Sequence, residues 1–266
     1  MTFRSLLFVP GTRPDRFGKA LDAGADAVCI DLEDAVPPAG KAQARSAALA
    51  FLTEPRTARV GLRINGVRTL EGLKDLVALV ESQARPDFLM IPKVAAPEDL
   101  LTAGELLPGL PLWPVIESAE GLRRAYEICA APSVAGALFG GADLSADLSS
   151  TMDWDALLLG RSTLVAACAR SGLASLDVPH LNLSDPDDLT ASTLRAKALG
   201  FTGRSCIHPA QVAAVNAAYT PSPAEVERAR RVVEAFDAAG GAAALLDGKL
   251  IELPVIRAAR RVLDRA

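Results

Sequence analysis

Ala27-Val28-Cys29-Ile30-Asp31-Leu32-Glu33-Asp34 is the stretch on which the fold turns. Four apolar residues follow one another without a polar break and then give way to acids. A strand with one wet face alternates apolar and polar residues. An unbroken apolar run fits a parallel strand covered on both faces. Similar runs occur at Ser5–Val9, Val60–Ile64, Phe88–Ile91, Leu112–Ile116, Ala137–Phe139, Ala174–Val178 and Gly203–Ile207, the last broken by Arg204 and Ser205.

Amphipathic stretches with a period of about 3.6 residues alternate with these runs. They are Pro14–Ala23, Lys41–Leu52, Leu70–Ser82, Pro97–Leu106, Gly121–Ala130, Asp155–Ser171 and Asp187–Leu199, with Ala210–Ala217 and Pro223–Ala239 after the eighth strand. Capping signals such as Asp185-Pro186 open some of them, and Gly24, Gly172 and Gly200 close others. Eight β/α units in series predict a closed TIM (β/α)8 barrel. An open doubly wound sheet would carry GxGxxG in its first turn, which here reads Pro10-Gly11-Thr12-Arg13-Pro14. The barrel is expected over residues 1–240, with a C-terminal helical extension over 241–266. That tail carries a turn signal at Asp247-Gly248-Lys249 and a helix from about Pro254. It exceeds what a barrel needs and is expected to cap its own site or a neighbouring subunit's.

The chain of 266 residues is half hydrophobic and 23% charged, enough for a large core and too apolar for disorder. A net charge of −4 without a basic run argues against nucleic acid as a partner. The apolar stretch Leu6–Val9 is too short for a signal core, and no window approaches the ~20 apolar residues of a membrane span. A soluble, cytoplasmic protein is expected. Cys29, Cys129, Cys168 and Cys206 form no CxxC, and the only histidines are His180 and His208. Reduced, buried cysteines and no zinc site follow.

The ends of the strands carry the chemistry. Asp31, Glu33 and Asp34 follow strand two, Arg63 and Asn65 strand three, Lys93 strand four, Glu117 strand five and Asp143 strand six. Barrel active sites form where the C-terminal strand ends meet. Glu117 and Asp143 lie on neighbouring strands with no His or Cys beside them, which suits a hard divalent ion such as Mg²⁺. The alternative is a pair satisfied by arginines. Arg63 can hold a carboxylate bidentately or stabilise an enolate oxygen, or else form a structural pair with Asp31 or Glu33. Lys93 is a poor Schiff-base nucleophile, because surrounding carboxylates would keep it protonated, so its role is structural or electrostatic. Gly140-Gly141 would let backbone approach an anionic ligand. Arg13, Arg16 and Lys41 lie near the predicted mouth and are candidates for holding phosphate groups. His208 is as readily structural as catalytic, and His180 has no evident partner.

Taken together, these residues resemble the citrate lyase beta subunit and its relatives in the HpcH/HpaI aldolase and citrate lyase family. The matching segments are Arg4-Ser5-Leu6-Leu7-Phe8-Val9-Pro10-Gly11, Asp31-Leu32-Glu33-Asp34-Ala35-Val36-Pro37, Leu62-Arg63-Ile64-Asn65, Pro92-Lys93-Val94, Ile116-Glu117-Ser118-Ala119-Glu120-Gly121, Phe139-Gly140-Gly141-Ala142-Asp143-Leu144 and Ile207-His208-Pro209. The resemblance implies Mg²⁺ on Glu117 and Asp143, Arg63 on the keto acid or enolate, and cleavage of a citryl, malyl or citramalyl thioester. The products would be an acetyl thioester and oxaloacetate, glyoxylate or pyruvate, and the assembly a homotrimer or hexamer. Relatives acting on coenzyme A thioesters carry Ile-Asp-x-Pro near the C-terminus. Here the residues are Ile251-Glu252-Leu253-Pro254, so the implied acid/base is a glutamate, one methylene longer. Glu252, Asp31 and Asp34 are the candidates to take the substrate's hydroxyl proton. The competing expectations are a metal-dependent aldolase of 2-keto-3-deoxy acids and a lyase subunit active only with an acyl carrier protein.

Overall fold

A computed structural model describes residues Met1–Ala266. Eight parallel strands close into a barrel in chain order: β1 (Ser5–Pro10), β2 (Ala27–Asp31), β3 (Val60–Arg63), β4 (Leu89–Ile91), β5 (Leu112–Ile116), β6 (Gly136–Phe139), β7 (Ala174–Asp177) and β8 (Gly203–Cys206). β1 pairs with β8 in the register Leu6↔Ser205, which leaves no edge. The helices are α1 (Phe17–Leu21), α2 (Lys41–Thr53), α3 (Leu70–Glu81), α4 (Glu98–Leu106), α5 (Ala119–Arg123), α6 (Ala125–Cys129), α7 (Gly141–Asp147), α8 (Leu158–Ser171), α9 (Pro186–Leu199), α10 (Val212–Tyr219), α11 (Pro223–Ala238) and α12 (Leu253–Leu263). No helix is long and apolar enough to cross a membrane.

The capping chemistry is local. Thr69 accepts from the Gly72 N–H to start α3, Asp185 from Asp188 to start α9, and α8 and α9 end at left-handed Gly172 and Gly200. Two expectations change in detail. The stretch Gly121–Ala130 is two short helices that meet at Arg124. The Gly140-Gly141 turn opens an additional helix, α7, whose first turn holds Asp143.

The eighth strand is the instructive one. Arg204 and Ser205 are both buried in it. Arg204 donates to the Val178 carbonyl and to the hydroxyls of Ser192 and Thr193, and the Ser205 hydroxyl donates to the Asp177 carbonyl. Polar side chains with partners can occupy a barrel strand without leaving an orphaned group.

At the other end of the barrel, Phe3, Phe88 and Trp113 form an aromatic plug. The Phe3 and Trp113 rings stack at 5.2 Å. Two glycines make room for it. A Cβ on Gly61 would stand 2.2 Å from the Phe88 ring, and one on Gly136 would stand 2.4 Å from the Trp113 ring. Neither ring has free space to retreat into. Gly61→Ala is therefore expected to destabilise the protein by about 1–3 kcal/mol in equilibrium urea unfolding. An unchanged midpoint would contradict this packing.

The chain divides into two compact units, Met1–Asn216 and Ala217–Ala266. The expected boundary at residue 240 is thus corrected. Ala229, Val232 and Phe236 of α11 share a core with Ile251, Ile256 and Ala259, so α11 belongs with the tail. Between α11 and α12 the chain forms an antiparallel hairpin of β9 (Ala244–Leu246) and β10 (Lys249–Ile251), turning at Asp247-Gly248. The predicted turn and the helix near Pro254 are both present.

Candidate active site

Arg63, the last residue of β3, organises the mouth of the barrel. Its Nε and Nη2 each meet an Asp31 carboxylate oxygen at 2.7 Å, a bidentate pair. Its Nη1 stands 3.1 Å from Glu33 Oε2, and its guanidinium carbon lies 4.9 Å from the centre of the Phe8 ring. Burial opposes the charge, but Asp31 and Glu33 more than compensate, and the guanidinium is held protonated above its already high range.

Asp31 is the first correction. Besides Arg63, its two oxygens accept the N–H groups of Glu33 at 2.9 Å and Ala35 at 3.1 Å. A buried carboxylate filled by four donors has no capacity to take a proton from substrate. It aims Arg63 and shapes the loop after β2. Asp34, the other candidate from this loop, is half-exposed, and its only ion pair is with Lys93 Nζ at 3.7 Å.

Lys93 follows β4 in a left-handed conformation, φ +55°. A non-glycine residue held there marks a constraint. Contacts of its backbone N–H and of its ammonium surround it. The Lys93 N–H donates to Glu117 Oε1 at 2.6 Å, while its ammonium lies 2.9 Å from Glu33 and 3.7 Å from Asp143. The expected electrostatic role fits this placement. Desolvation works against the ammonium, but the three carboxylates outweigh it and hold Lys93 above its usual range. A Schiff-base nucleophile needs the opposite shift.

Glu117 and Asp143 stand beside this lysine. Glu117 is buried just past β5; Asp143 is half-exposed in the first turn of α7. Burial pushes the Glu117 carboxyl up to about 8, and the charges of Glu33 and Asp143 add to the rise, against the Lys93 N–H. Glu33 is also raised, by burial first, with Arg63 and Lys93 opposing. Asp31, Glu33, Asp34, Glu117 and Asp143 face two cations, Arg63 and Lys93.

That acid excess, made only of hard oxygen donors, fits a divalent ion such as Mg²⁺. No three candidate ligands are preassembled into a cage. Mg²⁺ does not require one, since it commonly takes one or two carboxylates and leaves other positions to water and substrate. Gly140 supplies the room: a Cβ there would lie 2.4 Å from Glu117 Cβ and 2.5 Å from Oε2. This corrects the expectation for Gly140-Gly141. The Gly140 gap is filled by Glu117 rather than open to an anionic ligand, and Gly141 is buried with Phe139 and Val178 about 3.4 Å from where its Cβ would be.

Lys41 is a second correction. Its ammonium donates to the Leu32 and Glu33 carbonyls at 2.8 and 2.7 Å, so it braces the acidic loop and has little left for a phosphate. Arg13 is exposed and paired with Asp15. With Arg16, Lys19 and His208 it lines a cavity of about 400 Å³ beside the β1 end. His208 Nδ1 accepts the Ala210 N–H and caps a single turn, a structural use. His180 Nε2 has no hydrogen-bond partner, and its nearest acid, Asp188, is 3.7 Å away. Glu252 belongs to the second unit, where it is the exposed N-cap residue of α12 and its side chain caps nothing. Two contributors escaped the sequence reading as site residues, Glu33 and Phe8. The run Asp31-Leu32-Glu33-Asp34 was the available signal for Glu33.

Comparison with known proteins places the chain in a family. The family described as HpcH/HpaI aldolase/citrate lyase matches residues 4–209, and one described as C-C bond lyase of the TIM-barrel fold matches residues 176–266. The chain is 38% identical to a (3S)-malyl-CoA thioesterase of Cereibacter sphaeroides, over 99% of this chain and 94% of that one. It is 33% identical to an L-malyl-CoA/beta-methylmalyl-CoA lyase of Rhodobacter capsulatus, with the same coverage. Among solved structures, CitE of Mycobacterium tuberculosis, in complex with magnesium, acetoacetate and coenzyme A, superposes with a TM-score of 0.86. The identity is 34%, over 100% of this chain and 98% of that one.

Proposed function

The chain belongs to the HpcH/HpaI aldolase/citrate lyase family, and from that premise we propose that it is a magnesium-dependent carbon–carbon lyase. Its substrate is a thioester of the malyl, citramalyl or citryl type, cleaved to an acetyl thioester and a 2-keto acid. The observation that carries this reading is the bidentate, largely buried Arg63 at the same barrel mouth as two oxygen-donor carboxylates, Glu117 just past β5 and Asp143 in the first turn of α7.

Glu117 and Asp143 are the residues that would hold Mg²⁺, whose charge polarises the keto-acid oxygens. Arg63 is the fixed cation for the oxygen that becomes an enolate when the C–C bond breaks. Its direction is set by Asp31 and Glu33 before substrate arrives, so no reorganisation is needed during the reaction. Lys93 and the Arg63–Asp31 pair keep Glu33 and Asp34 oriented around the same space. Arg16 and Lys19 supply positive lining for carrier phosphates in the cavity beside β1, where Arg13 is held by Asp15.

Asp34 takes the hydroxyl proton, and one proton delivered to the enolate carbon completes the acetyl thioester. Of the acids in the loop after β2 it alone is half-exposed and free of a close ion pair. Asp34→Asn is expected to lower kcat about 10²–10⁴-fold with little change in KM. If Glu252→Gln produced that loss and Asp34→Asn did not, the base would be Glu252.

A second reading has a specific observation behind it. The chain's 38% identity to a (3S)-malyl-CoA thioesterase makes hydrolysis of the C–S bond an alternative outcome at the same site. Product analysis with malyl-coenzyme A separates the two. Lysis yields glyoxylate and acetyl-coenzyme A without free thiol, and EDTA abolishes it. Stoichiometric free thiol and malate would overturn the lyase reading, and turnover unaffected by EDTA would overturn the metal. A protein inert on free coenzyme A thioesters but active on acyl carrier protein would assign it to a larger complex.

A further inference from the structure

Glu117 and Asp143 stand on separate elements, the first just past β5 and the second in the first turn of α7. Their spacing therefore depends on how α7 is fixed to the segment that follows β5. Two hydrogen bonds fix it. At the start of α7 the Gly140 N–H donates to the Ile116 carbonyl at 3.0 Å. At its far end Asp147, the last residue of α7, accepts the Ala119 N–H on Oδ2 at 2.7 Å. Ile116 and Ala119 bracket Glu117 in the chain, and Gly140 and Asp147 bracket Asp143. The two bonds thus enclose both carboxylates.

For its own helix Asp147 is misplaced. An acid in the last turn opposes the helix dipole. It is exposed, and the bond to Ala119 is the one hydrogen bond its side chain makes. Across the gap the same charge is well placed. Ala119 opens α5, its N–H has no partner within that helix, and the Ser118 hydroxyl is already taken by the Gly121 N–H. Asp143 and Asp147 are four residues apart, one turn along the same face of α7. The face that offers Asp143 to the mouth is therefore the face that Asp147 ties down. We propose that Asp147 is a positioning residue for the divalent ion. By gripping the Ala119 N–H it holds α7 where Asp143 can share one cation with Glu117. Mg²⁺ demands near-octahedral ligands at about 2.0–2.1 Å, so a helix free to shift would lose one of the two carboxylates. The inference rests on the metal reading above.

Titration of the full-length protein with Mn²⁺, read as loss of the free-ion paramagnetic resonance signal, tests it without any turnover. Asp147→Ala removes the acceptor and leaves the buried core untouched. It is expected to weaken Mn²⁺ binding about 10–100-fold with an unchanged far-UV spectrum. Asp147→Asn removes the charge but keeps an oxygen that can accept the Ala119 N–H, and it is expected to recover most of that loss. In the lyase assay the Mg²⁺ concentration for half-maximal rate should rise for Asp147→Ala by the same factor, while kcat at saturating Mg²⁺ stays close to that of the wild type. A wild type that binds Mn²⁺ and an Asp147→Ala variant that binds it equally well would overturn this inference alone. Asp147→Asn as weak as Asp147→Ala would overturn it too, since the effect would then belong to charge and not to the bond. A wild type that binds no Mn²⁺ would overturn the metal reading and this inference together.

Discussion

Arg63→Lys is expected to reduce kcat/KM by about three orders of magnitude while leaving a folded protein. The substitution keeps a positive charge and removes the fork. Lysine can satisfy one oxygen of Asp31 or the Glu33 carboxylate, but not both Asp31 oxygens together with Glu33 as the guanidinium does. What remains of its charge would therefore be aimed differently at the enolate. Asp31 also loses one of its buried donors. Because breaking a buried pair outright costs about 3–5 kcal/mol, a variant that removes the cation altogether, Arg63→Ala, is expected to be measurably less stable as well. Steady-state kinetics beside thermal unfolding separates the two effects. If Arg63→Lys kept activity within tenfold of the wild type, Arg63 would be a structural ion pair and no more.

The second large effect belongs to Glu117, and its two parts have opposite signs. Glu117→Gln is expected to abolish the Mg²⁺ dependence and lower kcat/KM by about 10³-fold or more, since an amide is a far poorer ligand for a hard cation. The same variant is expected to be more stable than the wild type when both are free of metal. The Glu117 carboxyl ordinarily titrates near 4.5 and in the fold is held up to about 8, by burial and then by the charges of Glu33 and Asp143. A carboxyl whose pKa is raised on folding favours the native state below 4.5. That favour is lost as pH rises through about 8. Metal-free wild type should therefore lose stability across that window, while Glu117→Gln, always neutral and still able to accept the Lys93 N–H, should not. The two melting curves are expected to coincide near pH 5 and to separate by roughly 2–6 °C at pH 8.5. Added Mg²⁺ should close the gap for the wild type only. A wild type that melts higher than the variant at pH 8.5 without metal would show that Glu117 is satisfied by protein groups and has no need of a cation.

The barrel was legible because its strands are buried on both faces, and that burial writes itself as apolar runs such as Ala27–Ile30 and Leu112–Ile116. Strand eight was the faint one for the same reason. Arg204 and Ser205 are buried too, but their hydrogen bonds go to residues far away in the chain, which no local pattern reveals. The boundary of the second unit was misplaced because an amphipathic helix such as α11 does not announce which core its apolar face will join.

In the site, residue types were readable and their division of labour was not. Charged residues at strand ends marked Arg63, Glu117 and Asp143 as a convergent set, and the mouth brings them together around Lys93 and Glu33. That Asp31 is saturated, that Lys41 is spent on two carbonyls, and that Gly140 yields its space to Glu117 are facts of distance. The left-handed backbone of Lys93 is of the same kind. A lysine gives no hint of positive φ, yet that conformation lets one residue grip Glu117 through its N–H and three acids through its ammonium.

The central claim is that Glu117 and Asp143 together hold a divalent ion within reach of Arg63. Crystals grown with Mn²⁺ in place of Mg²⁺, measured for anomalous scattering, test it most directly. One anomalous peak is expected, within about 2.3 Å of carboxylate oxygens from both residues. A peak bound elsewhere, or contacts to neither carboxylate at saturating Mn²⁺, would contradict the account.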